Sequence, residues 1–171
     1  PLIHTDKRGQ AVTFVDNHDT NREGNPYGTP QVTDYKHQAY AYILMREYGV
    51  PTVYARDWDE FAMAPELARM IEARRYFAYG TGHEGGGDTK VYVYTREGLS
   101  EVPGTGAVML ISGRNSGGTW SNSINSHQPN TTFVDYTGNV SGTVTTDGNG
   151  YGDFKVNLTE SSGWSIWVPQ L

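Results

Sequence analysis

The chain has 171 residues, with 13 Lys and Arg against 19 Asp and Glu for a formal net charge of -6, and no cysteine. That length suits one ordinary domain or two small ones, and the absence of cysteine removes disulfides and thiolate zinc sites. No basic stripe is present to hold nucleic acid, and no apolar run approaches the about 18 residues of a membrane span, so a soluble protein with neither partner is expected.

The first segment with a clear pattern is AVTFV (11–15), a short, nearly all-apolar run of the kind found in buried parallel strands. It runs straight into Asp16, Asn17, His18 and Asp19. Such a cluster can be an ordinary turn in which Asx side chains cap backbone groups. At the C-terminal end of a buried strand in a βα unit it can equally be a ligand-handling site, because α/β sheets and barrels bind ligands at that end.

From Thr33, TDYKHQAYAYILMREYG repeats apolar groups near helical spacing at Tyr35, Ala39, Tyr42, Ile43 and Met45, with Gly49 as stop and Pro51 forbidding continuation. PTVYA (51–55) reads as a second buried strand. A second helix enters through Pro65, places Leu67, Met70, Ile71, Arg74 and Phe77 on one face, and ends at Gly80. The order β-α-β-α predicts right-handed crossovers and a parallel sheet. Two strands and two helices cannot close a barrel, and an open pair leaves edges and apolar faces without partners. The chain starts Pro-Leu-Ile-His without a leader, and a piece of something larger is expected.

Past the glycine run near residue 86 the period changes. KVYVYT, AVMLIS, TTFVDY, GTVTT, DFKVN and GWSIWV alternate between turn residues, which predicts an antiparallel Greek-key sandwich. With 21 Gly and 12 Tyr, the composition fits turn-rich β-structure with aromatic surfaces. Two domains follow, 1–85 and 86–171. Trp120, Trp164 and Trp167 raise a different function, a non-catalytic starch- or glycan-binding β-sandwich. Trp164 and Ile166 alternate onto one face and Trp167 onto the other, so at least one of these tryptophans belongs to a core. The glycosylation patterns at Asn130, Asn139 and Asn157 arise easily by chance in such a composition.

FVDNHD (14–19) resembles the fourth conserved motif of α-amylases, starch-hydrolysing retaining glycosidases built on a TIM (β/α)8 barrel, where it closes the seventh strand. KHQAYAYILMREYGVPTVYARD is similar to the seventh helix and eighth strand of the bacterial liquefying members, IEARRYFAYGTGHE to the last barrel helix, and GGTW, TGN, GYGDFKVN and SIWV to the C-terminal β domain. The resemblance implies an α/β plus all-β fold: the C-terminal part of a barrel, from its seventh strand to its eighth helix, followed by the β-sandwich. It implies secretion, an α-glucan substrate and retaining endo-hydrolysis of α-1,4-glucosidic bonds.

Carried over by position, Asp19 is the transition-state-stabilising carboxylate and His18 hydrogen-bonds the same sugar, with Arg22 and Tyr27 in the cleft loop; Tyr27 can also be a solvated aromatic. Asp16 and Asn17 support the strand end. The nucleophile and acid/base of a retaining enzyme, about 5 Å apart, lie in the family on strands before this motif. Only 13 residues precede it here. The expectation is therefore an inactive chain that needs the missing N-terminal barrel portion as partner. His83 and Glu84 match a pair that helps bind calcium between barrel and β domain, although Ser112 and Gly113 stand where another carboxylate is needed; the other reading is an interdomain turn with Asp88 as a cap. Ala55-Arg56-Asp57 departs from the family's Tyr-Gly-Asp by putting a bulky charge where a small residue eases the turn.

Overall fold

The computed structural model describes residues 5–21 and 31–170. Strand β1 (Val12–Phe14) pairs in parallel with β2 (Val50–Thr52), Val12 opposite Val50 and Phe14 opposite Thr52. Helix α1 (Lys36–Met45) crosses between them. Residue 35 precedes it in the left-handed region, at φ 54°, so the helix starts three residues later than the pattern predicts. It stops at Met45 rather than near Gly49 because Arg46 turns extended, and the Arg74 side chain, donating to the carbonyls of Leu44 and Arg46, covers the open C-terminal groups. Buried residues lie around much of its circumference: Lys36, Gln38, Tyr40, Ala41, Leu44 and Met45. Of the expected stripe of Tyr35, Ala39, Tyr42, Ile43 and Met45, only Met45 is fully buried, a consequence of packing on more than one side.

PTVYA is not one strand. The β ladder ends at Thr52, and Ala55–Asp59 form a short helix, α2, with the Asp57 amide donating to the Tyr54 carbonyl at 3.0 Å. Asp57 in its first turn favours the helix over an extended end. Helix α3 (Ala64–Tyr76) opens on Pro65 and buries Leu67, Met70 and Ala73, close to the expected face.

The rest is antiparallel. A six-stranded sheet has the order β3-β4-β5-β10-β7-β8, formed by Gly82–Glu84, Val91–Arg96, Ala107–Ser112, Trp164–Pro169, Thr132–Asp135 and Thr143–Thr145 respectively. A separate ribbon pairs β6 (Thr119–Asn125) with β9 (Tyr151–Asn157). Strands β3 and β6 have no counterpart in the predicted segments. Strand β6 is mostly polar and exposed, so its sequence carries little apolar alternation. Strand β3 is three residues long, and Gly82 fits there because an added Cβ would lie 1.8 Å from the Tyr94 hydroxyl.

Both faces of the large sheet are covered. On one side Val91, Val93, Val108, Leu110, Phe133 and Trp167 meet Ile124, Phe154 and Val156 of the ribbon, which makes a sandwich core. On the other, Tyr94, Met109, Trp164 and Ile166 pack with Tyr40, Leu44, Leu67 and Met70 of the helices. Trp164 and Trp167 thus face opposite ways, as the alternation predicts. Both are buried, at 2% and 0% exposure, which removes them as sugar platforms. No closed barrel forms among the described residues, where the only parallel ladder is β1-β2. Its outer face leaves Val12, Phe14 and Val50 exposed at 62%, 45% and 54%.

Candidate functional site

Asp16 leaves the end of β1 with its side chain turned inward. Its carboxylate accepts from Lys36 Nζ at 3.0 Å, Thr20 Oγ1 at 3.1 Å and Asn21 Nδ2 at 3.3 Å. Lys36 bridges onward to Asp57 Oδ1 at 2.6 Å, and the Tyr40 hydroxyl donates to the other Asp57 oxygen. All three charged groups are buried. Burial, then the bond to Asp57, pushes the Tyr40 phenol well above its ordinary pKa, so it remains a donor. Lysine at the first position of α1 opposes the helix dipole; two buried carboxylates outweigh that. The ends of β1, α1 and α2 are tied together by one ion network.

Asn17 shapes the turn. Its Oδ1 accepts the backbone N–H groups of Asp19 at 2.8 Å and Thr20 at 3.1 Å, and its carbonyl accepts from Asn21 N at 2.9 Å. The turn points His18 and Asp19 outward. Their side chains are 82% and 36% exposed, with His18 Nε2 3.6 Å from Asp19 Oδ2. The four consecutive polar residues therefore divide into a buried lock and a solvent-facing imidazole and carboxylate. A fixed negative charge beside a hydrogen-bonding ring can bind polyols and stabilise a nearby positive charge.

Arg56 reaches back to this turn. Its guanidinium donates to the Asn21 carbonyl at 3.3 Å and to Asn21 Oδ1 at 3.1 Å while pairing with Glu60. The bulky charge that departs from the family pattern has become a strut between α2 and the turn. Arg22 and Tyr27 lie outside the described residues.

The pair His83 and Glu84 diverges. Neighbours on β3 project to opposite faces: Glu84 accepts from Arg46 at 2.7 Å and from the Tyr92 hydroxyl at 3.0 Å, whereas His83 Nε2 lies 2.9 Å from Glu97 Oε2 and its ring stacks on His127 at 4.0 Å. Calcium takes six to eight oxygens, and these two side chains do not converge on one ion. Bonds from His83 and Thr81 hold the Glu97 carboxyl below its usual range; burial and the neighbouring His83 lower His127, against a raising contribution from Glu97. Asp88 does cap a turn, accepting from the backbone N–H groups of Lys90 at 2.7 Å and Val91 at 3.0 Å and from Trp120 Nε1 at 3.0 Å.

Lys36, Tyr40, Asp57, Glu97 and His127 were not marked by sequence reasoning. One signal was available: a lysine at the start of a helix, flanked by segments that each carry an aspartate. The convergence of residues 83, 97 and 127 has no local signature, because strand pairing alone brings them together.

Residues 110–168 match the family described as alpha-amylase C-terminal. The chain is 39% identical over 166 residues to an alpha-amylase of Geobacillus stearothermophilus, covering 94% of this chain and 29% of that one. It is 34% identical over 164 residues to a glucan 1,4-alpha-maltohexaosidase of Bacillus sp. (strain 707), covering 92% and 31%. A solved structure of the γ-CGTase of alkalophilic Bacillus clarkii superposes with a TM-score of 0.64 over 94% of this chain and 26% of the other, at 18% identity, a likeness of fold alone. The chain spans less than a third of the length of these two curated relatives. Residues 110–168 thus match the α-amylase C-terminal family, and the chain as a whole is similar to the C-terminal portion of the Bacillus-type α-amylases.

Proposed function

We propose that this chain supplies the C-terminal part of a retaining glycosidase that hydrolyses α-1,4-glucosidic bonds in starch and related glucans. In this reading β1 and β2 are two strands of a (β/α)8 barrel, and the nucleophile and acid/base are carried by barrel strands that precede them in the sequence. Asp19 holds hydroxyls of the sugar at the cleavage point and stabilises the oxocarbenium-like transition state with its charge; His18 donates to the same sugar.

The observation that carries this reading is the division of the strand-end cluster. Asp16 and Asn17 are committed to the buried lock, while Asp19 and His18 stand exposed at the C-terminal end of a parallel strand. The exposed Val12, Phe14 and Val50 support it, since strands taken from a larger closed sheet present such a face. The test joins this chain to the remaining N-terminal part of the Geobacillus stearothermophilus relative. The chain alone is expected not to cleave amylose and the joined protein to cleave it. Asp19→Asn in the joined protein should lower kcat by about 10³-fold or more. Cleavage by the isolated chain, or full turnover by Asp19→Asn, overturns the proposal.

A further inference from the structure

We propose that His83, Glu97 and His127 form a binding site for one divalent transition-metal ion of the zinc type, which staples the two sheets of the sandwich together. The three residues come from β3, from the position just after β4 and from the loop after β6. One donor atom from each lies within 4.8 Å of the others. Two imidazole nitrogens and one carboxylate oxygen are the donor set of a borderline ion such as Zn²⁺, and not of calcium, which demands oxygens.

The geometry is close to what such an ion needs. With Zn–N and Zn–O bonds of about 2.0–2.2 Å, neighbouring donors in a tetrahedron stand about 3.3 Å apart. His83 Nε2 and Glu97 Oε2 are already 2.9 Å apart. His127 is exposed, so tilting its ring out of the stack by about 1.5 Å closes the widest separation. A cavity of about 220 Å³, lined in part by His83, Asn125, His127 and Tyr151, opens beside the two imidazoles and has room for water.

Surrounding bonds place the Glu97 carboxylate and the loop that carries His127. Thr81 N donates to Glu97 Oε1 at 3.2 Å, which leaves Oε2 toward His83. His127 sits in the left-handed region at φ 61°, its N–H donating to Asn125 Oδ1 at 2.8 Å. Gly150, at φ 86°, permits that loop, because a Cβ there would meet Asn125 Oδ1 at 2.9 Å. Gln128 Nε2 ties the same loop to the Glu97 carbonyl at 3.2 Å.

Titration calorimetry of the full chain with ZnCl₂ tests the site, together with the Co²⁺ absorption spectrum. One equivalent of Zn²⁺ should bind, and Co²⁺ should give a band of tetrahedral intensity. His127→Ala and His83→Gln should each weaken Zn²⁺ at least about 10-fold and abolish the Co²⁺ band. Glu84→Gln should leave both unchanged, which separates this site from the calcium pair. His127 is an exposed loop residue, so its variant keeps the fold, as far-UV circular dichroism will check. No Zn²⁺ binding, or binding of equal strength in His127→Ala and His83→Gln, overturns the proposal.

Discussion

Lys36 Nζ lies 3.0 Å from Asp16 Oδ2, with the lysine side chain 9% exposed and the aspartate 1%. A second carboxylate, Asp57, is closer still at 2.6 Å, so one buried cation is shared between two buried anions. Removing the cation strands both charges in low dielectric. Lys36→Met is therefore expected to cost about 3–5 kcal/mol, the range for breaking a buried ion network from one side. Urea unfolding at neutral pH measures it. A Lys36→Met chain within about 1 kcal/mol of the parent would show that water reaches these carboxylates.

Arg56 predicts a local effect instead. It is 42% exposed and pairs with Glu60, itself 60% exposed, so its ionic contribution to global stability is small. Its two bonds to Asn21 nevertheless brace the turn that presents Asp19. Arg56→Gly should leave the unfolding midpoint nearly unchanged and speed amide hydrogen exchange at Asp19, Thr20 and Asn21 several-fold. Unchanged exchange rates at these three amides would remove the strut from the account.

The boundary between what the sequence disclosed and what it hid follows the range of the interactions. Apolar alternation marked β4, β5 and β10 to within a residue, because those strands lie in a sheet buried on both faces. It missed β6, whose alternate residues face solvent on a two-stranded ribbon. Helix α1 was found but its buried face was misassigned, since Lys36 and Gln38 are buried for reasons of pairing that no hydrophobic pattern encodes. In the site, the strand-end cluster was visible as consecutive letters. The lysine that anchors it stands 20 residues from Asp16, and its other partner 21 residues further on.

Trp164 and Trp167 should respond differently to the same substitution. Trp167 Nε1 donates to the Lys155 carbonyl at 3.0 Å and to Ser165 Oγ at 3.1 Å, whereas Trp164 Nε1 is buried with no hydrogen-bond partner among the described residues. Trp167→Phe loses ring volume and both bonds of the indole N–H; Ser165 Oγ still donates to the Lys155 carbonyl at 2.7 Å, so the lost bonds add about 1 kcal/mol to the packing loss. Trp164→Phe loses volume but also relieves an unpaired donor, so its cost should be smaller. Thermal unfolding compares the two, and retention on immobilised starch should be the same for both folded variants. Equal destabilisation, or selective loss of starch retention in Trp164→Phe, would contradict the core assignment.

His37 gives the fold an acid-sensitive contact. Its ring stacks on Trp164 at 4.4 Å with an interplanar angle of 3°, and its buried Nε2 has no hydrogen-bond partner among the described residues. Burial lowers its pKa below the ordinary 6.5, with Glu66 pulling the other way. The folded state therefore favours the neutral ring, while the unfolded chain takes up a proton near pH 6.5. The unfolded state then binds more protons below that pH, so stability is complete above it and falls as the pH drops toward the lowered folded value. His37→Phe keeps an aromatic ring against Trp164 and cannot be protonated. Urea midpoints from about pH 8 to about pH 5 should decline for the parent and decline less for His37→Phe. Parallel curves would mean that protonation of this ring does not differ between the two states.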